Sequence, residues 1–324
     1  NLEKICDSIR GTQQIPIHSK NFCGSNFREA LMYVASLTLS VAEELGIIKG
    51  ADKYFTPSHK DKLTEEGYVV IPSVLSEEQV QTLSELTLFI AQKEDEENVS
   101  YRYGDQEHRL QRVYNLISKH PVYLELLDLP IVKEVLEFYF AKDNLHHKYV
   151  LSSFQSNIIH PGGEDQQLHV DGMGYPMEPP SWPTRLNLNF LLTDWTVDNG
   201  ATLLFPGSHK LYKSPAPNEI LDKDLLTVCA SRGSLVVWGG HTWHKSGKNN
   251  SKESRFGLFS CFSSSHVKEL CTEEEHLEVV DAAVVEKLSP EWRFMLGYDR
   301  GVKRGAMHRV DYTNTKFKNI SLNE

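Results

Sequence analysis

From about Lys148 onward, short β-rich runs alternate with Gly, Pro, Asn and Asp residues. Runs of this length and spacing are typical of an all-β sandwich or barrel. A jelly roll (a double-stranded β-helix, cupin-like) of eight strands in two sheets fits this pattern, and such a double sheet can enclose a ligand cavity. We therefore predict a mainly β core spanning about residues 148–263. Its predicted strands are 149–159, 167–171, 185–195, 201–205, 225–230, 234–238 and 255–263.

Helical patterns flank this core, so the fold class we predict is α+β. Residues 94–110 are polar and turn-rich and predict a mobile loop. Residues 68–72 are predicted to form a brief buried strand, and Ser76 to be the N-cap of the helix that follows it. We divide the chain into an N-terminal helical extension, 1–55, and one domain, 56–324. The predicted helices are 26–49, 59–66, 77–93, 111–119 and 121–141.

Composition and charge exclude several classes of protein. A net charge of −10 argues against a nucleic-acid partner, which basic residues must hold by neutralising phosphates. The apolar segment Phe27–Ile48 carries four charged residues, and its apolar residues recur at helical spacing, which favours an amphipathic helix over a membrane span. The five cysteines form no Cys-x-x-Cys pair, so we expect free thiols in a reducing compartment, the cytoplasm. The sequence leaves the oligomeric state open.

One predicted strand carries a pair of metal-ligand side chains. His169 and Asp171 are two residues apart, so on a strand both point to the same face. With a second histidine they would form the two-His, one-carboxylate triad of non-haem Fe(II) oxygenases. The spacing alone is weak, because 14 × 44/324, roughly two, His-x-acid triplets are expected by chance. Three occur, but those at His59 and His276 lie in polar, charged surroundings.

The second histidine should come from a later strand of the same core. Both His241 and His244 follow the apolar run that ends at Gly240, and both are candidates. Arg255 then begins the last predicted strand. An oxygenase of this kind commonly takes two electrons from a 2-oxo acid, whose distal carboxylate needs a planar, bidentate partner such as guanidinium. One iron position would stay free for O₂.

These segments together resemble the phytanoyl-CoA dioxygenase family, whose members are Fe(II)/2-oxoglutarate oxygenases on a jelly-roll fold. The resemblance runs from about residue 58 to residue 300. The motifs that carry it are His169-Val170-Asp171, Asp198-Asn199-Gly200-Ala201-Thr202, Pro206-Gly207-Ser208-His209, and Trp243-His244 with Asn249 and Arg255.

The resemblance implies a role for each matching residue. His169, Asp171 and His244 would be the iron ligands, with His244 favoured over His241 because it lies eleven residues before Arg255, as the family's distal histidine does. Arg255 would hold the distal carboxylate of 2-oxoglutarate. Thr202, Gln167 and Arg112 would contact the cosubstrate, with Gln166 as the competitor of Gln167.

Other candidate residues have an ordinary structural reading beside the functional one. We expect His209 to be structural, and one of Asn187 and Asn189 to contact substrate or cosubstrate. Tyr101–Tyr103 is either a lid over the site or a solvated loop. The lysines Lys245, Lys248 and Lys252 are expected in a solvated turn rather than at an anion site.

The predicted activity is that of a 2-oxoglutarate-dependent non-haem iron dioxygenase. It would hydroxylate an unactivated C–H of a small organic substrate (a natural product, amino acid, lipid or acyl derivative) and release succinate and CO₂. The triad's carboxylate favours hydroxylation over halogenation, although desaturation, epoxidation or ring formation use the same triad. The alternative is a metal-binding jelly-roll protein that catalyses no oxidation, either a degenerate oxygenase or a redox-neutral isomerase.

Overall fold

A seven-stranded antiparallel sheet lies at the centre of the fold. The computed structural model describes residues 55–104, 107–140, 149–171, 183–217, 219–265, 280 and 282–298, which all belong to one compact unit, Leu39–Glu324. The predicted helix 26–49, with all of the N-terminal extension before Phe55, lies outside these residues. In spatial order the large sheet runs β1-β8-β5-β10-β4-β3-β2. Its strands are β1 (Tyr68–Ile71), β2 (Tyr101–Tyr103), β3 (Leu110–Val113), β4 (Tyr149–Ile159), β5 (Arg185–Leu191), β8 (Leu235–Gly239) and β10 (Arg255–Ser264).

A second, three-stranded sheet faces the central strands. It consists of β7 (Leu226–Thr227), β6 (Thr202–Leu204) and β9 (His244–Ser246), in that order. Apolar residues from both sheets pack between them, among them Leu204 of β6 and Val236 of β8, each fully buried. Two packed antiparallel sheets form the jelly roll predicted from the sequence.

Helices cover the other face of the large sheet. Side chains alternate along each strand: Phe154 and Leu258 join the helix-side core, whereas their neighbours Gln155 and Phe259 line a cavity between the sheets. No helix of the described residues is long and apolar enough to cross a bilayer. The helices are α1 (Pro57–Glu66), α2 (Glu77–Glu96), α3 (Leu116–Lys119), α4 (Pro121–Leu127), α5 (Pro130–Phe140), α6 (Ala282–Val285) and α7 (Pro290–Met295), with 3-10 turns at Ser208–Leu211 and Asp222–Asp224.

Local sequence signals predicted several of these helix and strand boundaries correctly. The predicted strand 149–159 is β4, and the run predicted at 255–263 is β10, one residue longer. Ser76 caps α2 as predicted, because its hydroxyl accepts from Gln79 N–H while the Gln79 side chain accepts from Ser76 N–H. The helix predicted at 59–66 begins earlier, at Pro57, and Thr56 is its N-cap.

Other predicted elements were wrong in place or type. Residues 110–113 form a strand rather than the start of a helix, because they hydrogen-bond to β4. The predicted helix 121–141 is two helices, since Pro130 starts a new one and cannot continue the old. Within the predicted loop 94–110, β2 pairs with β3 at the sheet edge. Residues 167–171 form no full strand, only a bridge between His169 and His244.

Candidate metal centre

Three side chains from two separate segments converge between the sheets. His169 and Asp171 precede β5, and His244 is the first residue of β9. One ligand atom from each lies within 4.8 Å of the other two. Within the described ranges, no other group of three His, Cys, Asp or Glu side chains is arranged to hold a metal ion.

Backbone hydrogen bonds bring these segments together. His169 N–H donates to the His244 carbonyl at 3.0 Å, and His244 N–H donates to the His169 carbonyl at 2.9 Å. Asp171 N–H donates to the Gly240 carbonyl at 2.9 Å. The stretch before β5 thus runs antiparallel beside β9 and extends the small sheet, although it is too irregular to be a complete strand.

Both imidazoles present the same nitrogen to the site. His169 Nδ1 lies 2.8 Å from the Gln167 carbonyl, and His244 Nδ1 lies 2.9 Å from the Thr242 carbonyl. A carbonyl only accepts, so we assign the ring proton to Nδ1 in each case. The Nε2 lone pairs are then free to bind a metal, and the Nδ1 bonds fix the orientation of the rings.

Charges around the cluster favour a carboxylate beside a neutral His244 imidazole. Burial lowers the pKa of His244, which keeps that ring neutral at physiological pH. Burial alone would raise the pKa of Asp171, but His244, His169, Arg185 and a hydrogen bond from Asn187 together hold it below its usual value. Two neutral nitrogens and one carboxylate are the donor set that suits non-haem Fe(II) with open positions.

Arg255 is a fully buried guanidinium in the same cavity, 1 % exposed. Its Nη2 donates to Ser246 Oγ at 2.8 Å, and the guanidinium carbon lies 4.8 Å from the Trp195 ring centroid. Its Nε and Nη1 are buried and have no hydrogen-bond partner among the described residues. Burial lowers its pKa to about 10, so the group is still charged at neutral pH. Unpaired buried N–H groups of a cation indicate that an anionic ligand belongs here.

Two of the predicted cosubstrate residues lie close to Arg255. Thr202 on β6 is buried, lines the cavity and pairs across the sheet with Ser246. Gln166 lines the cavity too, and its Oε1 accepts from Ser246 N–H at 3.0 Å. The Gln167 side chain is exposed and is not part of the described cavity lining; only its carbonyl meets His169. The structure therefore places Gln166, the competitor, where Gln167 was predicted.

Arg112 lies on β3 and also lines the cavity. Its Nε donates to the Tyr103 hydroxyl at 3.0 Å and its Nη1 to the Tyr114 hydroxyl at 3.3 Å. Both partners are neutral phenols, and no ion pair of Arg112 occurs within the described ranges. Tyr103, expected in either a lid or a solvated loop, thus lies in the cavity wall, whereas Arg102 is exposed and pairs with Asp95 at 2.6 Å.

The remaining histidine candidates are outside the donor cluster. His241 Nε2 bonds Thr184 Oγ1 at 2.9 Å, and burial lowers the pKa of His241 to about 4. His209 bonds the Thr64 carbonyl at 3.0 Å and packs against Gly67, where a Cβ would come within 2.4 Å of its Nδ1. These contacts place His209 outside the donor cluster, and its structural role stays a prediction.

Three residues that matter to the site were assigned differently or missed. Asn187 lines the cavity and donates to Asp171 Oδ2 at 2.5 Å, so its amide contacts a candidate ligand. Lys245 is buried and pairs with Asp165 and Asp222, which corrects the expected solvated turn; Lys248 and Lys252 are exposed. Ser246, which accepts from Arg255, was also predicted in that turn and was not recognised as a site residue. Its place two residues after His244, on the same strand, is the sequence signal that could have identified it.

A cavity of about 380 Å³ joins the donor cluster to Arg255 and Arg112. Its floor on the large sheet is partly polar, with Ser153, Gln155 and Asn157 at alternate positions of β4. This volume accommodates a dicarboxylate cosubstrate together with part of a small organic molecule.

A jelly roll that holds two histidines, one carboxylate and a buried arginine in one cavity defines the class of 2-oxoglutarate-dependent non-haem iron dioxygenases. The chain belongs to the phytanoyl-CoA dioxygenase (PhyH) family, whose profile matches residues 63–257. It is accordingly a dioxygenase of this class, with Fe(II) as metal, 2-oxoglutarate as cosubstrate and O₂ as oxidant, and it acts on a small-molecule substrate.

Curated relatives and solved structures agree with this placement. Dioxygenase af480 of Aspergillus fumigatus is 31% identical over 72% of this chain and 74% of its own. Dioxygenase ALT11 of Alternaria alternata is 27% identical over 76% of this chain and 82% of its own. In fold, the chain is similar to the non-heme alpha ketoglutarate dependent carbocyclase SnoK from nogalamycin biosynthesis, with a TM-score of 0.53 and 21% identity over 66% of this chain and 86% of that one. It is likewise similar to EctD from S. alaskensis with bound Fe, with a TM-score of 0.54 and 15% identity over 66% and 78%.

Proposed function

We propose that this protein couples the oxidative decarboxylation of 2-oxoglutarate to hydroxylation of an unactivated C–H of a small organic molecule, with release of succinate and CO₂. His169 Nε2, His244 Nε2 and one Asp171 oxygen would hold the iron. When bound, Fe(II) with 2-oxoglutarate and O₂ supplies the oxidising power for the C–H bond. The chain's own residues bind and orient the cosubstrate and exclude water from the site.

The observation that carries this proposal is the pair of unpartnered Arg255 N–H groups in the cavity of the donor cluster. A jelly roll that only bound a metal would leave a fully buried cation without an anion, which is costly. The distal carboxylate of 2-oxoglutarate satisfies both N–H groups, since guanidinium and carboxylate match as planar, two-pronged partners. A 2-oxo dicarboxylate fits both the donor set and this cation.

Further residues take supporting roles in the proposal. Thr202 and Gln166 lie on either side of Ser246, the residue that already holds Arg255, and would contact the same cosubstrate end. Arg112, with its two phenol partners, would contact a carboxylate that enters from the β3 side. Asp171 supplies the carboxylate that halogenating relatives lack, which favours transfer of hydroxyl.

The substrate's fate is the less constrained part of the proposal. Two structural relatives are described as a carbocyclase and an epimerase from nogalamycin biosynthesis, with TM-scores of 0.53 and 0.51. Product analysis with a substrate found by screening 2-oxoglutarate consumption therefore separates hydroxylation from ring formation or epimerisation. We also propose a cytoplasmic location, on the sequence ground that the five cysteines are scattered and form no Cys-x-x-Cys pair.

Anaerobic spectroscopy followed by exposure to air tests the activity. The apoprotein is loaded with Fe(II), then with 2-oxoglutarate, and the weak visible metal-to-ligand absorption band is recorded before air is admitted and succinate assayed. We expect the band only with both components, and succinate only after air is admitted. No band and no succinate above background would contradict the oxygenase, whereas turnover of a substrate without O₂ would indicate a redox-neutral enzyme.

A further inference from the structure

Asn187 holds one specific oxygen of Asp171. The asparagine lies near the middle of β5, opposite Trp238 of β8 and Cys261 of β10, so its backbone is paired on both sides. From this fixed position its Nδ2 donates to Asp171 Oδ2 at 2.5 Å. The contact joins the centre of the large sheet directly to a candidate metal ligand.

This hydrogen bond makes the two carboxylate oxygens inequivalent. Oδ2 accepts a hydrogen bond from the Asn187 side-chain amide and lies 3.4 Å from His244 Nε2. Oδ1 lies 3.8 Å from His169 Nε2 and receives no side-chain hydrogen bond within the described ranges. The Asn187 N–H engages one lone pair of Oδ2 and withdraws charge from it, so Oδ1 is the better donor for a metal held by both imidazoles.

The distinction matters because carboxylates bind metals through either one oxygen or two. An octahedral iron has six positions: two for the histidines, two for the chelating 2-oxo acid and one for O₂, which leaves a single position for Asp171. A carboxylate bound through both oxygens would occupy a place that the cosubstrate or O₂ needs.

We propose that Asn187 is a positioning residue that restricts Asp171 to coordination through Oδ1, and that it thereby keeps the adjoining positions open for 2-oxoglutarate and O₂. This inference rests on the proposed function. It assigns Asn187 an effect on the cosubstrate that acts through Asp171, whereas the sequence analysis expected Asn187 or Asn189 to contact substrate or cosubstrate.

A merely structural role for the amide predicts a different result. If Asn187 only supported the local fold, its loss would loosen Asp171 and weaken metal and cosubstrate binding in parallel. If it restricts the carboxylate, its loss lets the second oxygen bind the metal, so metal affinity persists while cosubstrate affinity falls. The ratio of the two affinities separates these cases.

The test compares Asn187→Leu with Asn189→Leu under anaerobic conditions. Asn189 lies two residues along β5, is fully buried and donates to the Val236 carbonyl, but is not part of the described cavity lining. Calorimetry measures Fe(II) affinity of the apoprotein and 2-oxoglutarate affinity of the Fe(II)-loaded protein, and absorption records the metal-to-ligand band.

For Asn187→Leu we expect 2-oxoglutarate affinity reduced about tenfold or more, a clearly smaller loss of Fe(II) affinity, and a weaker band. Asn189→Leu should match wild type in all three. Asn187→Val, which also lacks the donor and suits a strand, gives the same readout if the leucine variant does not fold. Wild-type 2-oxoglutarate affinity, parallel loss of both affinities, or the same change in Asn189→Leu would overturn the inference. Failure of the wild-type protein itself to form the band would instead count against the proposed function.

Discussion

His169 and His244 exchange backbone hydrogen bonds in both directions, at 3.0 and 2.9 Å, so that their rings lie 4.4 Å apart between centroids. Seventy-five residues separate them along the chain, yet each fixes the other's position directly. The two candidate ligands are thus pre-organised by the sheet rather than by the metal, which reduces the ordering that metal binding requires.

Replacing His244 should remove metal binding, whereas replacing His241 should not. His244→Ala deletes one Nε2 donor from the cluster, while His241 bonds Thr184 outside it. We expect His244→Ala to lose the Fe(II)·2-oxoglutarate absorption band, and His241→Ala to keep it. The reverse pattern would reassign the ligand.

The two neighbouring glutamines should differ in their effect on cosubstrate binding. Gln166 lines the cavity and accepts from Ser246 N–H, while the Gln167 side chain is exposed. Gln166→Ala should weaken 2-oxoglutarate binding by roughly fivefold to tenfold, the value of about one hydrogen bond. Gln167→Ala should remain at wild-type affinity in the same calorimetric titration; equal losses would show that the side chain of Gln167 contributes after all.

Arg255 should be intolerant even of lysine. Its planar guanidinium presents two unpartnered N–H groups in one fork, a geometry that the lysine ammonium cannot reproduce. We expect Arg255→Lys to weaken 2-oxoglutarate binding by about 1.5–3 kcal/mol, roughly tenfold to 150-fold. Arg102→Lys, at an exposed ion pair on β2, is the matched control and should bind normally. If Arg255→Lys binds 2-oxoglutarate as tightly as wild type does, the Arg255 guanidinium does not hold the cosubstrate.

Lys245 should matter for stability although a neighbouring lysine does not. Its buried ammonium pairs with Asp165 and with Asp222 at 3.0 Å, which ties the segment before His169 to β9. The two carboxylates are partly exposed and remain hydrated when the lysine is lost, so we expect Lys245→Ala to lower the free energy of unfolding by only about 1–2 kcal/mol. Lys248→Ala, at an exposed position, should lie within about 0.5 kcal/mol of wild type in urea unfolding. If Lys245→Ala lowers the free energy of unfolding no more than Lys248→Ala does, the two ion pairs of Lys245 contribute nothing measurable to stability.

His120 should make the protein less stable as the pH falls. Burial lowers its pKa to about 4, and its Nδ1 accepts from Val122 N–H at the start of α4, a bond that protonation would break. Between pH 6.5 and 4 the unfolded chain therefore binds a proton that the folded chain does not, and the free energy of unfolding decreases with decreasing pH. For this one group the decrease is at most about 2 kcal/mol at pH 5.

The variant His120→Asn keeps an N-cap acceptor but does not titrate. Its urea midpoint should fall less than that of wild type between pH 7 and pH 5, since the other titrating groups cancel in the comparison. Identical pH slopes would show that His120 titrates normally.

Sequence patterns alone located the β core, because side-chain alternation and turn residues act locally. The bounds of β4 were predicted to the residue, and the capping box at Ser76 needs only two side chains three positions apart. The same local logic failed for residues 110–113, where pairing with β4 overrides the helical pattern.

For the site, the sequence by itself determined the chemical kinds of residue and their order along the chain: a His-x-Asp pair, a later histidine and an arginine. Tertiary structure decided which atoms meet. It put Gln166 rather than Gln167 in the cavity, buried Lys245 against two carboxylates, and set Asn187 on one oxygen of Asp171. These choices depend on contacts between residues far apart in the chain, which form only when the two sheets close on each other, and no local pattern contains that information.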